Sequence, residues 1–259
     1  MSKMIAVVSG KGGVGKSTVA VNLSCAMAQR GEKVALVDCD FYGPSIPTLL
    51  GGGEVIPDHE GKLVPPAKFG IKYISIGFFL KNPDDPIIWR GPMFNNAMSQ
   101  MINDTRWGDV DWFIIDMPPG TGDAQISLAQ NFALTGAVVV TTPQEVALAD
   151  VRKCLHMLTK VNVKTLGVVE NMAGFRAPDG TVHEIFGAGG GETIAKNFGV
   201  PLLASIPIDI GIREGGDSGE PIACKAGSPG AGIFDSLAAQ VVEIGARAES
   251  AQPKLKIVN

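Results

Sequence analysis

The sequence predicts an α/β fold in three layers, in which a mostly parallel sheet carries helices on both faces. Seven short apolar runs alternate with segments of helix length, a pattern typical of parallel sheets that are buried on both sides. A glycine-rich loop joins the first apolar run to the first helical segment. The 259 residues suffice for one large core, and no linker or repeat divides them, so we predict a single domain over residues 1–259.

Each element follows from its local pattern. Short apolar runs predict the strands, which are Met4–Val8, Lys33–Val37, Ile71–Ile76, Trp112–Ile115, Ala137–Thr141, Thr165–Val169 and Leu202–Ile206. Apolar residues at helical spacing predict the helices, which are Val19–Arg30, Gly122–Ala133, Glu145–Lys160, Gly190–Asn197 and Ile233–Ala246. Glycine and proline predict loops at Gly51–Phe69 (with a small hairpin), Lys81–Pro92 and Ala173–Thr181, and a short polar tail begins at about residue 249.

Composition narrows the class of protein. With 45% hydrophobic and 19% charged residues the chain is not disordered. A net charge of -4 without a basic block argues against nucleic acid or a membrane surface as partner. The first strand begins almost at once, so we expect no signal peptide, and no apolar run reaches the roughly 20 residues of a membrane span. Four cysteines without a CxxC pair or a disulfide framework favour the reducing cytoplasm.

The glycine-rich loop fits the P-loop pattern G-x-x-x-x-G-K-[ST] and lies between a strand and a helix, the context that this pattern requires. Its residues are Gly10, Lys11, Gly12, Gly13, Val14, Gly15, Lys16, Ser17 and Thr18. Glycines let backbone N–H groups converge on a triphosphate, and the start of the helix adds a favourable dipole. Lys16 supplies a charge to the β- and γ-oxygens, and the Ser17 hydroxyl can ligate Mg²⁺. The pattern therefore predicts the fold of P-loop NTPases.

Asp116 follows the buried run Trp112–Ile115, where a P-loop protein carries the carboxylate that holds Mg²⁺. The next residues, Pro118–Gly122, are stiffened by two prolines, and the Gly120 N–H is expected to approach a γ-phosphate. Such a loop is held by the γ-phosphate and released on hydrolysis. The alternative is that Asp116 merely caps a turn before the next helix.

Asp38 and Asp40 end the second strand and lie on the same side of an extended segment. In such a sheet the second strand ends beside the phosphate loop. One carboxylate, Asp38, is expected to support the metal and its waters, and Asp40 to orient the attacking water. The alternative is that Asp38 and Asp40 only cap the following segment, Phe41–Leu50.

Two further polar residues have open roles. Lys11 is a second lysine in the P-loop, and it either stabilises charge on a neighbouring subunit's nucleotide or is an ordinary solvated lysine. Asn171, at a strand end, lies in a segment where guanine-binding proteins carry N-K-x-D, but Gly174 stands in place of the aspartate. An amide serves adenine equally well, so we predict ATP; the alternative is that Asn171 satisfies a turn.

These motifs resemble those of the deviant Walker-A ATPases, the class of MinD, ParA and the nitrogenase iron protein, and are most similar to the Mrp/ApbC family of ATP-binding iron–sulfur cluster carriers. The similar elements are Lys11–Ser17, Asp38–Ser45, Trp89–Met93, Asp116–Asp123, Thr142–Gln144 and Ile185–Gly187. Together they span most of the chain. The resemblance implies a homodimer with ATP at the interface, Lys11 acting in trans, Asp40 near the hydrolytic water, and a cluster passed to apo-proteins.

One element departs from that family. Its cluster-carrying members hold a C-P-x-C pair, and two pairs from two subunits bridge a [4Fe–4S] cluster. Ala177 and Gly180 stand at those positions here, and neither can ligate iron. Asp179 and His183 are nearby but are weak ligands for this cluster. The cysteines of this chain, which are Cys25, Cys39, Cys154 and Cys224, are expected to be inert thiols, so the usual cluster ligands are absent.

We therefore expect an ATP-binding, ATP-hydrolysing iron–sulfur cluster carrier or assembly protein that acts as a nucleotide-gated homodimer in the cytoplasm. Its ligands are ATP and Mg²⁺, and its partners are a second copy and apo iron–sulfur proteins or assembly factors. The expected catalytic residues are Lys11, Lys16 and Asp40, the metal-binding residues are Ser17, Asp38 and Asp116, and the nucleotide-binding residues are 10–18, Gly120 and Asn171. The alternatives are a scaffold without a cluster and a regulatory ATPase of the MinD/ParA kind.

Overall fold

The computed structural model describes residues 2–79 and 91–250. The predicted loop Lys81–Pro92 lies outside the described residues except for its last two residues, which begin a helix and so are not loop. The Trp89–Met93 element also lies partly outside them. Of the predicted tail, residues 249 and 250 belong to the last helix, and the rest lies outside the described residues.

The described residues form eleven strands and eight α-helices. The strands are β1 Lys3–Ser9, β2 Val34–Asp38, β3 Ile56–Pro57, β4 Leu63–Val64, β5 Ala67–Lys68, β6 Ile71–Ser75, β7 Trp112–Asp116, β8 Gly136–Thr141, β9 Thr165–Arg176, β10 Val182–His183 and β11 Leu202–Ile208. The helices are α1 Lys16–Gln29, α2 Ile46–Leu49, α3 Gly91–Asn103, α4 Asp123–Asn131, α5 Glu145–Lys160, α6 Gly190–Phe198, α7 Ile210–Ser218 and α8 Pro229–Ser250. Short 3₁₀ turns cover Ile76–Phe79 and Ile222–Cys224.

Nine strands form one sheet in the order β10-β9-β8-β1-β7-β2-β6-β5, with β11 paired to β9. The pairs from β9 to β6 are parallel, as is the β11–β9 pair, while β10 and β5 add antiparallel at the ends of that order. Asp38 and Asp116 are register partners on β2 and β7, so the carboxyl ends of the central strands lie at one edge. This edge is where a parallel sheet presents its ligand site.

Helices cover both faces of this sheet. Ile5 and Val7 of β1 lie in one hydrophobic cluster with α1 and α8, whereas Ala6 and Val8 lie in the opposite cluster with α4, α5 and α6. The alternation follows from the two-residue period of a strand, since successive side chains point to opposite faces. The predicted three-layer α/β fold is therefore confirmed. No helix in the described ranges is long and apolar enough to cross a membrane.

Each of the seven predicted strands and five predicted helices is present, with ends shifted by a few residues. The small hairpin predicted within Gly51–Phe69 is the antiparallel pair β3–β4. The predicted loop Ala173–Thr181 is wrong in its first four residues, because β9 continues to Arg176 and pairs there with β10. Helices α2, α3 and α7 were not predicted.

Candidate functional site

The phosphate loop leaves β1 at Ser9 and ends at Gly15, where α1 begins. Gly15 caps the helix in a left-handed conformation, with φ of 84°, which glycine adopts without strain. A Cβ atom at Gly15 would also overlap the side-chain amide of Asn171. The Ser9 hydroxyl donates to the Lys11 carbonyl at 2.9 Å, which ties the start of the loop together. The loop is thus shaped by its own backbone and by one strand residue, Asn171.

Lys16 lies beneath this loop and is held between two carboxylates. Its Nζ is 2.7 Å from Asp116 Oδ1 and 3.3 Å from Asp40 Oδ2, and its side chain is only 6% exposed. Burial disfavours the ammonium, but the negative charges of Asp116 and Asp40 outweigh burial and raise the pKa of Lys16 above its ordinary value. The structure therefore brings together three predicted site residues from three separate segments, around a lysine that stays charged.

The site carries more negative than positive charge. Asp116 Oδ2 and Asp40 Oδ1 are buried and have no hydrogen-bond partner among the residues that the structure describes. The Lys16 ammonium donates to the Ser17 hydroxyl at 3.3 Å and to Asp116 Oδ1 at 2.7 Å, so the two predicted metal ligands lie around one ammonium group. Buried carboxylate oxygens that lack donors are suited to a hard cation and its waters. Ser17 and Asp116 therefore fit Mg²⁺ by chemistry and by placement.

Asp38 occupies a different position from the one expected of a metal ligand. It is fully buried, and its oxygens accept hydrogen bonds from the Asp40 N–H at 3.0 Å, the Ile46 N–H at 3.3 Å and the Ser75 hydroxyl at 2.8 Å. Burial, followed by the charge of Asp116, raises the pKa of Asp38 to about 8. These contacts fix the segment that carries Asp40, so the geometry gives Asp38 a positioning role. The role expected of Asp38 from the sequence, support of the metal and its waters, stays a prediction.

Two hydrogen bonds hold the loop Pro118–Gly122, which follows Asp116. The Gly120 N–H donates to the Ser9 carbonyl at 2.9 Å, and Gln125 Nε2 donates to the Pro118 carbonyl at 2.6 Å. We expected the Gly120 N–H to be available to a phosphate. In the structure this N–H is already used, because the Ser9 carbonyl at the end of β1 accepts its hydrogen bond. Gln125, which is 1% exposed, was missed by sequence reasoning, although its place in the first turn of α4 was a usable signal.

Two cavities meet at the phosphate loop. The smaller one, of about 390 Å³, is lined by the loop backbone together with Lys16, Asp40, Tyr42 and Pro119. Lys11 also lines this cavity and is partly buried. The larger cavity, of about 880 Å³, adjoins it at Gly15 and Thr18 and extends to Asn171 and the segment Pro207–Asp209. Their sizes and linings suit a triphosphate beside a base.

Asn171 lies within β9 rather than at its end. Its Nδ2 donates to the Val14 carbonyl at 2.9 Å, and the residue is 7% exposed. Because the amide nitrogen is used in this way, Oδ1 is the polar atom that the side chain presents to a ligand in the larger cavity. The amide thus both supports the phosphate loop and offers an acceptor.

Comparison with known proteins identifies the family. The family model of the ParA group described as NUBPL iron-transfer P-loop NTPase matches residues 1–242. The chain belongs to this family.

Two curated relatives of the chain bear the same name. The iron–sulfur cluster carrier protein of Aquifex aeolicus is 53% identical over 247 residues, which are 93% of this chain and 68% of that protein. The iron–sulfur cluster carrier protein of Escherichia coli K12 is 45% identical over 245 residues, which are 93% of this chain and 66% of that protein. The chain thus spans about two thirds of the length of both relatives.

Solved structures agree with the family fold. A nucleotide-binding protein from Archaeoglobus fulgidus, in complex with ADP, is 37% identical with a TM-score of 0.75, over 88% of this chain and 90% of that one. The cell-division ATPase MinD of Pyrococcus furiosus is 28% identical with a TM-score of 0.68, over 94% of this chain and 100% of that one. The resemblance predicted from the motifs is therefore confirmed.

In this chain, the segment that departs from the C-P-x-C pattern is the tip of the β9–β10 hairpin. The Gly180 N–H donates to the Ala177 carbonyl at 2.9 Å, and the Ala177 N–H donates to the Thr181 carbonyl at 2.8 Å. Gly180 has φ of 88°, and Asp179 Oδ1 accepts from the Thr181 N–H at 2.9 Å. Pro-Asp-Gly is favoured in such turns, because proline, aspartate and glycine each fit their backbone position. This tip is closed by its own backbone hydrogen bonds.

His183 borders that tip on β10, whereas the four cysteines lie in other parts of the chain. His183 pairs with Phe175 in β10, and no group of three or more histidine, cysteine or acidic side chains in the described ranges could hold a metal ion. Cys39 and Cys154 are buried, as expected of inert thiols. Sequence reasoning missed that Cys25 and Cys224 pack in the same hydrophobic cluster, because they are far apart in the chain and no spacing rule relates them.

Proposed function

We propose that this chain is a Mg²⁺-dependent ATPase that works as a nucleotide-gated homodimer in iron–sulfur cluster assembly or delivery. The observation that carries the proposal is the buried Lys16 ammonium, held between Asp116 and Asp40 beneath a P-loop. Membership of a family described as iron-transfer P-loop NTPases, and relatives named iron–sulfur cluster carriers, support the biological role.

The triphosphate enters the smaller cavity and takes Lys16 as its counter-ion. A phosphate chain with several charges attracts the ammonium more strongly than either of the carboxylates, Asp116 and Asp40, with which Lys16 now pairs. The backbone N–H groups of the loop and the start of α1 bind the remaining oxygens. The base lies in the larger cavity, where Asn171 Oδ1 accepts from the 6-amino group of adenine and faces an acceptor on guanine.

Ser17 and Asp116 are the residues that would hold Mg²⁺, directly or through water, with Asp38 fixing the strand end beside them. Bound there, the ion neutralises charge on the β- and γ-oxygens of the nucleotide. Once Lys16 has moved to the phosphates, the buried oxygens of Asp116 keep a positive partner only if such an ion is present.

Hydrolysis requires an oriented water and extra positive charge. Asp40 lines the phosphate cavity and accepts a hydrogen bond from the water that attacks the γ-phosphate, while Asp38 holds the Asp40 backbone in place. Lys11, on the rim of the same cavity, stabilises charge on the nucleotide of the second copy. The Pro118–Gly122 loop exchanges its bond to Ser9 for a contact with the γ-phosphate and returns after hydrolysis, which loosens the dimer.

A second candidate function is a scaffold that hydrolyses ATP but carries no cluster. The closed turn at Ala177–Gly180 favours it, because this tip offers no thiolate where the C-P-x-C pattern has two.

Calorimetry with ATP and excess Mg²⁺ tests the nucleotide site. We expect binding by the wild-type chain and its loss in Lys16→Ala, with Lys153→Ala, an exposed surface lysine, as the matched control. Absence of binding by the wild-type chain would overturn the proposal. Anaerobic reconstitution with iron and sulfide then separates the two roles: iron retained per dimer and passed to an apo-acceptor supports delivery, and no retained iron supports the scaffold.

A further inference from the structure

Cys25 and Cys224 bring two thiols together from distant parts of the chain. Cys25 lies in α1 and is fully buried, while Cys224 ends the 3₁₀ turn Ile222–Cys224 and is half-buried. The turn packs on α1, both cysteines lie in one hydrophobic cluster, and each thiol shifts the pKa of the other. Neither residue belongs to the phosphate loop or to the residues around Lys16, so the nucleotide site gives no reason for the contact.

The turn that carries Cys224 is fixed against α1. The Ala223 N–H donates to Asn22 Oδ1 at 2.9 Å, and both residues are buried. Asn22 is one helical turn before Cys25, so this bond holds the turn at the level of the Cys25 thiol. The Cys224 N–H donates to the Pro221 carbonyl at 2.9 Å, which closes the turn itself. The position of Cys224 over Cys25 is therefore set by backbone as well as by side-chain contacts.

The two thiols differ in exposure, as an attacking and a resolving thiol do. Cys224 is reachable from solvent, and the interaction with the Cys25 thiol lowers its pKa, which favours the nucleophilic thiolate. The interaction with the Cys224 thiol, followed by burial, raises the pKa of Cys25, so Cys25 remains a thiol until its neighbour reacts. Cys154 offers an internal contrast, because burial raises its pKa to about 12 without a second thiol in contact.

We propose that Cys25 and Cys224 form a modification site at which a peroxide oxidises the two thiols to one intramolecular disulfide. The Cys224 thiolate attacks one peroxide oxygen, the O–O bond breaks, and Cys224 becomes a sulfenic acid while the peroxide is reduced to water or an alcohol. The Cys25 sulfur then attacks the sulfenic sulfur. The S–S bond forms, the S–O bond breaks, and the hydroxyl leaves as water with the Cys25 proton. Two electrons pass from the thiols to the peroxide.

The bond would close a loop of about 200 residues, so oxidation should restrict the unfolded chain and raise the midpoint of unfolding. It would also fasten the wall of the larger cavity to α1, since α7 packs tightly on the same turn through Gly215. The site is independent of the proposed ATPase role, because its formation needs only the folded chain and an oxidant.

The test is treatment of the reduced full-length chain with hydrogen peroxide, followed by peptide mapping under non-reducing conditions. We expect a cross-linked peptide containing Cys25 and Cys224, loss of two of the four thiols counted after unfolding, and their return with a reductant. Cys154→Ser is the matched control and should form the same cross-link. Cys224→Ser should form none, and Cys25→Ser should leave a sulfenic acid on Cys224 that a carbon-acid trap labels. Four thiols persisting in the wild-type chain, or a cross-link between the Cys224 residues of two chains, would overturn the assignment.

Discussion

Asn171 in β9 is joined to Val14 in the phosphate loop by a hydrogen bond of 2.9 Å, from the side-chain amide to the backbone carbonyl. The bond connects residues 157 positions apart and fixes which end of the amide faces the larger cavity. One side chain therefore connects the shape of the phosphate site to the chemistry of the base site.

Asn171→Ala is expected to weaken ATP binding by roughly tenfold or more, because the Val14 carbonyl loses its donor and the base loses its acceptor. The preference for ATP over GTP should shrink in the same variant, since the discriminating atom is gone. Calorimetric dissociation constants for both nucleotides measure this. Asn131→Ala, on the exposed face of α4, serves as the control, and an unchanged ratio of the two constants in Asn171→Ala would contradict the assignment.

Lys11→Ala is expected to reduce ATP turnover by about 10³-fold or more while ATP affinity stays within a few-fold of wild type. The reason is that a charge acting on the partner's nucleotide is needed in the transition state and not for binding. Phosphate release at saturating ATP measures turnover, and calorimetry measures affinity. If Lys11→Ala lost binding to the same degree as Lys16→Ala, the two lysines would serve the same nucleotide and the trans role would be rejected.

Gly15→Ala is expected to lower the free energy of unfolding by about 1–2 kcal/mol, because alanine is strained at a φ of 84°. The new methyl group would also push Asn171 away from Val14. Urea unfolding followed by circular dichroism gives the change. Gly12→Ala is the matched variant for stability, since a Cβ there meets open space, and equal losses in both variants would show that the Gly15 backbone is not the cause.

The double variant Ala177→Cys with Gly180→Cys is expected to gain iron in anaerobic reconstitution. Two chains would then supply the four thiolates that a [4Fe–4S] cluster takes. The Gly180 φ of 88° makes the second substitution cost about 1–2 kcal/mol, so the variant should also unfold at a lower temperature. The serine pair at the same positions carries the same backbone cost without thiolates. Equal iron contents of the cysteine and serine pairs would show that the hairpin tips do not meet in the dimer.

Much of the fold could be predicted because short windows of the sequence determine many of its strands and helices. The apolar runs of the strands and the strand–loop–helix context of the phosphate loop lie within short windows, and the structure has them where expected. The extension of β9 to Arg176 was not predictable in that way, since it depends on pairing with β10. Helix α7 was missed because its glycines have low helix propensity. Asp209, which accepts hydrogen bonds from the Gly211 and Ile212 N–H groups, was an overlooked capping signal.

The candidate site also combines residues that a short sequence window predicts with contacts that it does not. Motif spacing predicted Lys16, Ser17 and Asp116, and the structure brings them together. It did not predict that Gly120 donates to Ser9, that Asp38 is occupied by backbone donors, or that two distant cysteines pack in one cluster. Each of these contacts joins segments whose proximity depends on the whole sheet, which no short window of sequence contains.

The hydrogen bond from the Gly120 N–H to the Ser9 carbonyl sets a thermodynamic threshold for any ligand that takes up that N–H. A ligand that opens this bond loses about 0.5–1.5 kcal/mol of binding free energy. The bond forms again when the ligand leaves. A nucleotide too short to reach Gly120 escapes this cost. In the proposed function, ATP and its product ADP would differ in whether they open this bond, which involves main-chain atoms only.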